Sequence, residues 1–305
     1  MSPIVGVLKG GMSSERTVSL QSGAAVAAAL RSRGHTVVEI DVGPDLPERL
    51  RAEHIDIAWI ALHGAFGEDG CVQGLLEIMR IPYTGSSMAA SAVAMDKIST
   101  KRMLADVPVM HLPGDRVWRD GDGISDDLTY PVVAKTPSGG STIGVYICRD
   151  AGELEGALVQ CIEWGAEVLL EDMIVGEEIT VAVLDGVPLP PVSIRPVDGF
   201  FDFEAKYTKG QTEYIVPAPI ADAVTKSASD QAVASYQTLG LSGIARADFI
   251  VDADGIPWFL EINTIPGMTA TSLSPMAAKA KGISFEELVE RLMKSARLHL
   301  QPAPS

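Results

Sequence analysis

The sequence is poor in cysteine, in positive charge and in long apolar runs, and each shortage excludes something. Its three cysteines, Cys71, Cys148 and Cys161, show no metal-ligand spacing and no even pairing. That usage argues against a disulfide scaffold and suits a reducing cytosol. Lys and Arg number 24 against 40 Asp and Glu, a formal net charge of −16. Nucleic acid and anionic membranes are therefore not expected partners, since both call for a basic patch. Any phosphate chemistry must rest on a few locally placed cations. The apolar run at 4–8 soon meets Gly10-Gly11, too short for the core of a secretion signal. No run approaches the ~20 apolar residues of a membrane helix. A cytoplasmic protein without repeats or low-complexity tracts is expected.

What is present is a chain of 305 residues, 47% apolar, enough for two or three domains with real cores. Residues 1–95 alternate strand and helix patterns. Strands are expected at 4–8, 36–42 and 55–62. Helices are expected from a Ser13 or Ser14 cap to about Arg33, and at 47–53, 71–79 and 87–94. This reads as a doubly wound parallel α/β domain whose ligands collect at the strand ends, where Gly10-Gly11 and His63-Gly64 lie. Residues 96–180 read as an α+β unit. It has helices at 97–104 and 151–164, strands at 131–135, 168–171 and 178–184, and a loop or weak link at 114–127. Residues 181–305 read as mainly strands, with a long loop at 200–214 and an amphipathic closing helix from Ser284 to about Leu298.

The most informative stretch is 244–263, two strand-like runs around Asp252-Ala253-Asp254-Gly255, a strong turn signal. If Val251 pairs with Ile256, one face carries Ala245, Ala247, Phe249, Val251, Ile256, Trp258, Leu260 and Ile262. The other carries Arg246, Asp248, Glu261 and Asn263, with Asp248 diagonal to Glu261. Diagonal neighbours lie roughly 7–8 Å apart, so two carboxylates could bracket a small hard cation. A solvated outer face is the plainer alternative.

A second signal is the small-residue loop around Gly139, Gly140, Ser141 and Gly144, entered from Lys135. Its backbone N–H groups can close on phosphate oxygens. It is neither a Walker A loop nor a dinucleotide fingerprint. Glu171 and Glu178 flank a connector where Met173 and Ile174 could wall a base, with the carboxylates accepting from amino and hydroxyl groups. Lys206 and Tyr207 sit in the aromatic-rich loop at 200–214, which reads as a lid or as packing on a strand edge. His63 is placed either to meet a ligand or to support the fold. Glu15 either serves a ligand or complements a helix dipole. His35, His54, His111 and His299 read as incidental.

Together these residues resemble the ATP-grasp superfamily and, within it, the D-alanine–D-alanine ligase family. The resemblance rests on Gly10-Gly11-Met12-Ser13-Ser14-Glu15 with Val18-Ser19, Ala61-Leu62-His63-Gly64 with Gly67-Glu68-Asp69-Gly70, and Pro82-Tyr83-Thr84-Gly85-Ser86. It continues through Met95-Asp96-Lys97, Gly140-Ser141, Tyr207, Arg246-Ala247-Asp248 and Glu261-Ile262-Asn263-Thr264-Ile265-Pro266-Gly267-Met268-Thr269. It implies a three-domain ATP-grasp fold, a homodimer through the first domain, and a role in peptidoglycan precursor synthesis. ATP would phosphorylate the carboxylate of one D-alanine, and the amine of a second would attack the acyl phosphate.

Carried over residue by residue, the resemblance makes Lys97, Lys135 and Gly140 phosphate contacts, and Lys206 the lid lysine on the γ-phosphate. Glu171, Met173, Ile174 and Glu178 would surround adenine and ribose. Asp248, Glu261 and Asn263 would hold two Mg²⁺ ions, replaceable by Mn²⁺. Arg246 and the Gly267 N–H would stabilise the tetrahedral oxyanion. Glu15, Ser141 and Tyr207 would orient the first D-alanine. His63 would lie near that substrate's carboxylate, and Ser272 with Leu273 near that of the second. Two positions depart from the family pattern: Thr136 directly follows Lys135, and Met173 stands where an aromatic is common. Tyr207 favours an amine acceptor, since the vancomycin-resistance D-alanine–D-lactate ligases replace it. D-Lactate or D-serine acceptors, or a catalytically silent nucleotide-binding module, are the alternatives.

Overall fold

The computed structural model describes residues 3–139, 144–196 and 212–300. The first sheet is parallel, in the order β2 (Thr36–Asp41), β1 (Ile4–Lys9), β3 (Ile57–Ile60). One face is covered by α1 (Arg16–Ser32), the other by α2 (Leu46–Ala52) and α3 (Cys71–Met79). Helices on both faces explain why β1 and β3 are almost continuously apolar, and they bear out the doubly wound reading. The expected serine cap does not form. Helix α1 starts at Arg16 after Glu15, and the Ser13 hydroxyl instead donates to the His63 carbonyl at 2.6 Å. Tertiary pairing with the strand-end loop takes the side chain that the local pattern assigned to the helix.

Two further helices follow, α4 (Met88–Met95), capped by Ser87, and α5 (Lys97–Leu104), capped by Asp96. A second sheet runs β4 (Asp115–Arg119), β7 (Glu167–Asp172), β5 (Val132–Lys135), β6 (Val145–Cys148), with α6 (Ala151–Cys161) against it. β4 lies inside 114–127, where a loop was expected. Its local composition is Asp- and Gly-rich, but pairing with β7 makes Asp115–Arg119 a strand.

The third sheet is antiparallel. Its path is β11 (Thr212–Ile215), β10 (Val192–Pro196), β8 (Glu177–Leu184), β12 (Ile244–Val251), β13 (Pro257–Asn263), with β9 (Val187–Pro188) on β8. This part is less purely β than expected. Helix α7 (Asp222–Thr238) packs on the sheet through Ala228, Gln231, Ala232, Ser235 and Tyr236, a helical stripe built mostly from small and polar residues. Such a stripe carries little hydrophobic signal. A short α8 (Leu273–Ala280) precedes the closing α9 (Phe285–Lys294).

α9 ends four residues early because the tail is used elsewhere. Tyr83 and Arg297 exchange backbone hydrogen bonds, and the His299 N–H donates to the buried Glu77 carboxylate at 2.8 Å. His299 is thus no incidental residue. Its ring lies against Tyr83, and burial pushes its pKa down. Leu288, Val289 and Leu292 of α9 share one core with Val26, Ala27 and Leu30 of α1, so the closing helix packs against the first sheet's unit.

The hairpin departs from its expected register. Val251 pairs with Pro257 and Phe249 with Phe259; a bulge then places Asp248 opposite Glu261 and Arg246 opposite Asn263. The extra residue, Leu260, changes the side-chain parity of β13. Phe259 and Ile262 therefore join Phe249 in the core, whereas Trp258 turns away and donates to Asp252 at 2.7 Å. Phe249 and Phe259 meet edge to face at 5.7 Å, a contact worth about 1 kcal/mol beyond burial. The carboxylates are direct neighbours and not diagonal ones.

Candidate active site

The polar face of the hairpin is tightly compensated. Arg246 donates twice to Asp248, each bond 2.8 Å, and the Thr180 hydroxyl adds a third at 2.6 Å. Burial would lower the Arg246 pKa, but Asp248, with Glu261 and Glu68 nearby, raises it and keeps the guanidinium charged. The Asn263 side-chain oxygen accepts from the Ile265 N–H at 2.9 Å. Lys97, at the start of α5, lies 3.1 Å from Glu261 and donates to the Gly139 carbonyl at 2.6 Å. One ammonium therefore ties the Gly-rich loop to the acidic face.

Asp248, Glu261 and Asn263 offer oxygen donors only, the chemistry of a hard divalent cation. Among the described residues no three His, Cys, Asp or Glu side chains converge on a metal position. A cation here would draw on two carboxylates, the amide and phosphate oxygens, which fits an ion that arrives with nucleotide.

Lys135 ends β5 and pairs with Glu171 on β7, whose other oxygen takes Lys101 at 2.5 Å. Lys101 also lies 3.4 Å from Asp115. Glu171 is only 2% exposed. Burial alone would raise its carboxyl; the two lysines outweigh that and hold it below the ordinary range. The Thr136 N–H donates to the Gly144 carbonyl, closing the base of the Gly-rich loop. Gly144 has φ +73°, and a Cβ there would sit 2.7 Å from the Thr136 side chain. Met173 and Ile174, both half-buried, lie in the connector between the second and third sheets, next to Glu178 on β8.

The other end of the face meets the first sheet. His63, beyond β3, is buried between Ser22 at 3.1 Å and Glu68 at 3.7 Å. Glu68 accepts from the Gly64 N–H at 2.9 Å, and burial pushes its pKa up. Gly64 has φ +67°, a conformation that favours glycine, and a Cβ there would lie 2.8 Å from the Glu15 carboxylate, so the two segments approach closely. The Met268 N–H donates to the Ser22 hydroxyl at 3.2 Å, next to Gly267. Ser272 sits at the N-terminus of α8, its hydroxyl bonded to the Thr269 N–H at 3.0 Å, with Leu273 in the first turn.

The structure therefore brings Lys97, Arg246, Asp248, Glu261 and Asn263 together on one side. Glu15, His63, Gly267 and Ser272 belong to the strand-end loops and turns beside it. Glu171 is engaged by lysines. Gly140, Ser141, Lys206 and Tyr207 lie outside the described residues. Sequence reasoning missed Lys101, Thr180, Ser22 and a role for Glu68. Lys101 was within reach, four residues after Lys97 on the same helix. Ser22 and Thr180 carry no local signal.

The family model of the D-ala D-ala ligase C-terminus matches residues 105–294, and that of the N-terminus matches residues 45–86. The chain belongs to the D-alanine–D-alanine ligase family. The D-alanine–D-alanine ligase of Syntrophotalea carbinolica is 48% identical over 295 residues, covering 96% of each chain. That of Geobacter sulfurreducens is 46% identical over 301 residues, 97% of this chain and 95% of the relative. The crystal structure of D-alanine–D-alanine ligase from Bacillus anthracis superposes with a TM-score of 0.86 at 38% identity, covering 96% of this chain and 97% of that one. Its complex with ATP gives 0.85 at 36% identity, with the same coverage. The fold is that of the ligase family, a mixed α/β architecture of the ATP-grasp type. Among the described residues no helix is long and apolar enough to cross a membrane.

Proposed function

We propose that this chain joins two D-alanines into D-alanyl-D-alanine at the expense of ATP, through a D-alanyl phosphate, for peptidoglycan precursor synthesis. Lys97 is the observation that carries the reading, because it spans Glu261 and the Gly139 carbonyl. A phosphate-binding loop and an acidic cation site within reach of one ammonium suit phosphoryl transfer between two anions. The first D-alanine's carboxylate attacks the γ-phosphorus and ADP leaves. The second D-alanine's amine then attacks the acyl carbon, and phosphate leaves.

In this reading Lys97 and Lys135 neutralise phosphate oxygens, with Gly140 and Lys206 completing that cradle. Glu171, Met173, Ile174 and Glu178 receive adenine and ribose. Asp248, Glu261 and Asn263 hold Mg²⁺, or Mn²⁺ in its place, which when bound offsets charge on the phosphate oxygens. Arg246 and the Gly267 N–H stabilise the tetrahedral oxyanion. Glu15, Ser141 and Tyr207 orient the first D-alanine, and His63 stands close to it. Ser272 and Leu273, at a helix N-terminus, suit the second carboxylate.

Three separate sheets support a division into three units near 1–95, 96–180 and 181–305, with the last boundary drawn a few residues earlier because β8 (Glu177–Leu184) belongs wholly to the third sheet. The free thiols Cys71, Cys148 and Cys161 support a cytoplasmic site of action. A homodimer through the first domain follows from the family resemblance. Incubation with ATP, Mg²⁺ and D-alanine, read by phosphate release and mass spectrometry, tests the reaction. The dipeptide is the expected product. Phosphate release that requires D-lactate or D-serine would reject the amine-acceptor specificity. Glu261→Gln should lower kcat by roughly a thousandfold while leaving the circular dichroism spectrum unchanged. Near-normal turnover in that variant would refute the cation site.

A further inference from the structure

Helix α1 is rich in alanine, yet it buries two hydroxyls three residues apart, Ser19 and Ser22, both fully inaccessible. Ser19 donates to the Ala61 carbonyl at 2.7 Å, pinning the helix to the chain just before His63. Ser22 is placed differently. The Met268 N–H, from the turn before α8, points at its oxygen at 3.2 Å, and His63 Nε2 lies 3.1 Å away. A hydroxyl has one hydrogen to give. Among the described residues the only acceptor offered to that hydrogen is His63 Nε2. Leaving it unused at a buried position would cost stability.

The imidazole geometry follows from this. With Nε2 accepting from Ser22, the ring hydrogen belongs on Nδ1, the nitrogen that faces Glu68 at 3.7 Å. Glu68 is in turn anchored by the Gly64 N–H. Both ring nitrogens of His63 are thus directed at protein groups, and the ring is 5% exposed. A line of polar contacts runs from Glu68 through His63 and Ser22 to the Met268 backbone. It joins the loop after β3 to the turn that presents the Gly267 N–H.

We infer that Ser22 is a positioning residue for the ligation, the buried joint through which His63 sets the Gly267–Met268 turn against the first substrate's loop. The inference rests on the proposed reaction for its catalytic meaning, since Gly267 matters there as an oxyanion donor. Holding the Met268 amide fixes the peptide plane next to that donor. A misplacement on the order of 1 Å at such a group can cost about a hundredfold in rate. Released from Ser22, the turn keeps its chain connection but loses this reference to the first sheet. Substrate held at the His63 loop and the donor at Gly267 then no longer move as one body.

Two variants and two readouts test it. Ser22→Ala removes both hydrogen bonds at almost constant volume and suits a helix interior. Ser22→Cys keeps a weak donor and acceptor of similar size. We expect Ser22→Ala to lower kcat by roughly ten- to a hundredfold with the KM for ATP within about twofold, and Ser22→Cys to recover part of that loss. Amide hydrogen exchange at Met268 should quicken by about tenfold or more in Ser22→Ala. If kcat stays within about twofold of wild type, or the alanine and cysteine variants are equally impaired, the inference is overturned. If wild-type protein releases no phosphate in response to D-alanine, the ligase reading fails instead. Exchange at Met268 then decides the joint alone: faster exchange in Ser22→Ala supports it, and unchanged exchange rejects it.

Discussion

Glu171 and Glu68 are almost equally buried, 2% and 6% exposed, yet their carboxyl groups are displaced in opposite directions. Glu171, at the end proposed for the nucleotide, sits between Lys101 and Lys135 and is held ionised against its desolvation. Glu68, at the end proposed for the first substrate, meets a backbone amide and a histidine, which offset its burial only in part. Burial is therefore the common condition, and the neighbours decide the charge. The end proposed for phosphates is stocked with cations, and Glu171 is their fixed counter-charge. The end proposed for a zwitterion needs less.

This contrast can be broken at Lys101. Lys101→Met leaves Glu171 with a single partner, and removing one member of a buried charge network costs about 3 kcal/mol or more. The midpoint of urea unfolding should fall accordingly; an unchanged midpoint would mean that Glu171 does not depend on Lys101. Lys135→Met acts on the same carboxylate with the opposite emphasis. Lys101 still holds Glu171, so most stability remains, while kcat/KM for ATP should drop roughly a hundredfold, about 2.7 kcal/mol. A loss confined to stability would show that Lys135 never leaves Glu171 for a phosphate.

The smallest expected effect is at Glu68. Its folded pKa is raised, so its ionisation costs stability at higher pH, and the cost fades as pH falls through that folded value. Glu68→Gln should therefore unfold within about 1 kcal/mol of wild type, with any advantage largest near pH 8 and gone near pH 5. Glu171 runs the other way: its stabilisation is complete above its unfolded value of 4.5 and is lost as pH drops below it. Melting temperatures of both proteins at pH 8 and 5 decide the matter. A wild type that is the more stable protein by the same margin at pH 8 and at pH 5 would place an ionised, well-paired Glu68 in the fold.

Much of the site was legible because its parts are local. The turn at Asp252–Gly255, the chemical face of the hairpin, the Gly-rich loop after Lys135 and the histidine beyond β3 depend on residues close in sequence. The misses were of another kind. The bulge at Leu260 turns on whether Phe259 packs on Phe249, a contact between two strands. Helix α7 was hidden because Gln231 and Ser235 sit in its buried stripe, Gln231 bridging the His111 N–H and the Pro257 carbonyl. The early end of α9 depends on Tyr83 and Glu77, more than two hundred residues away in sequence.

Sequence alone determined which chemistry this protein carries: carboxylates, lysines, an arginine and small-residue loops in an order shared with the D-alanine–D-alanine ligase family. It could do so because chemistry resides in side-chain type and short spacing. Only the tertiary structure decided which charges face one another. A bulge in the hairpin sets Asp248 opposite Glu261, and packing between elements distant in sequence lets Lys97 span loop and carboxylate and Ser22 join His63 to Met268. Hydrogen bonds and ion pairs act over a few ångströms, so they depend on where the cores place the backbone and not on distance along the chain.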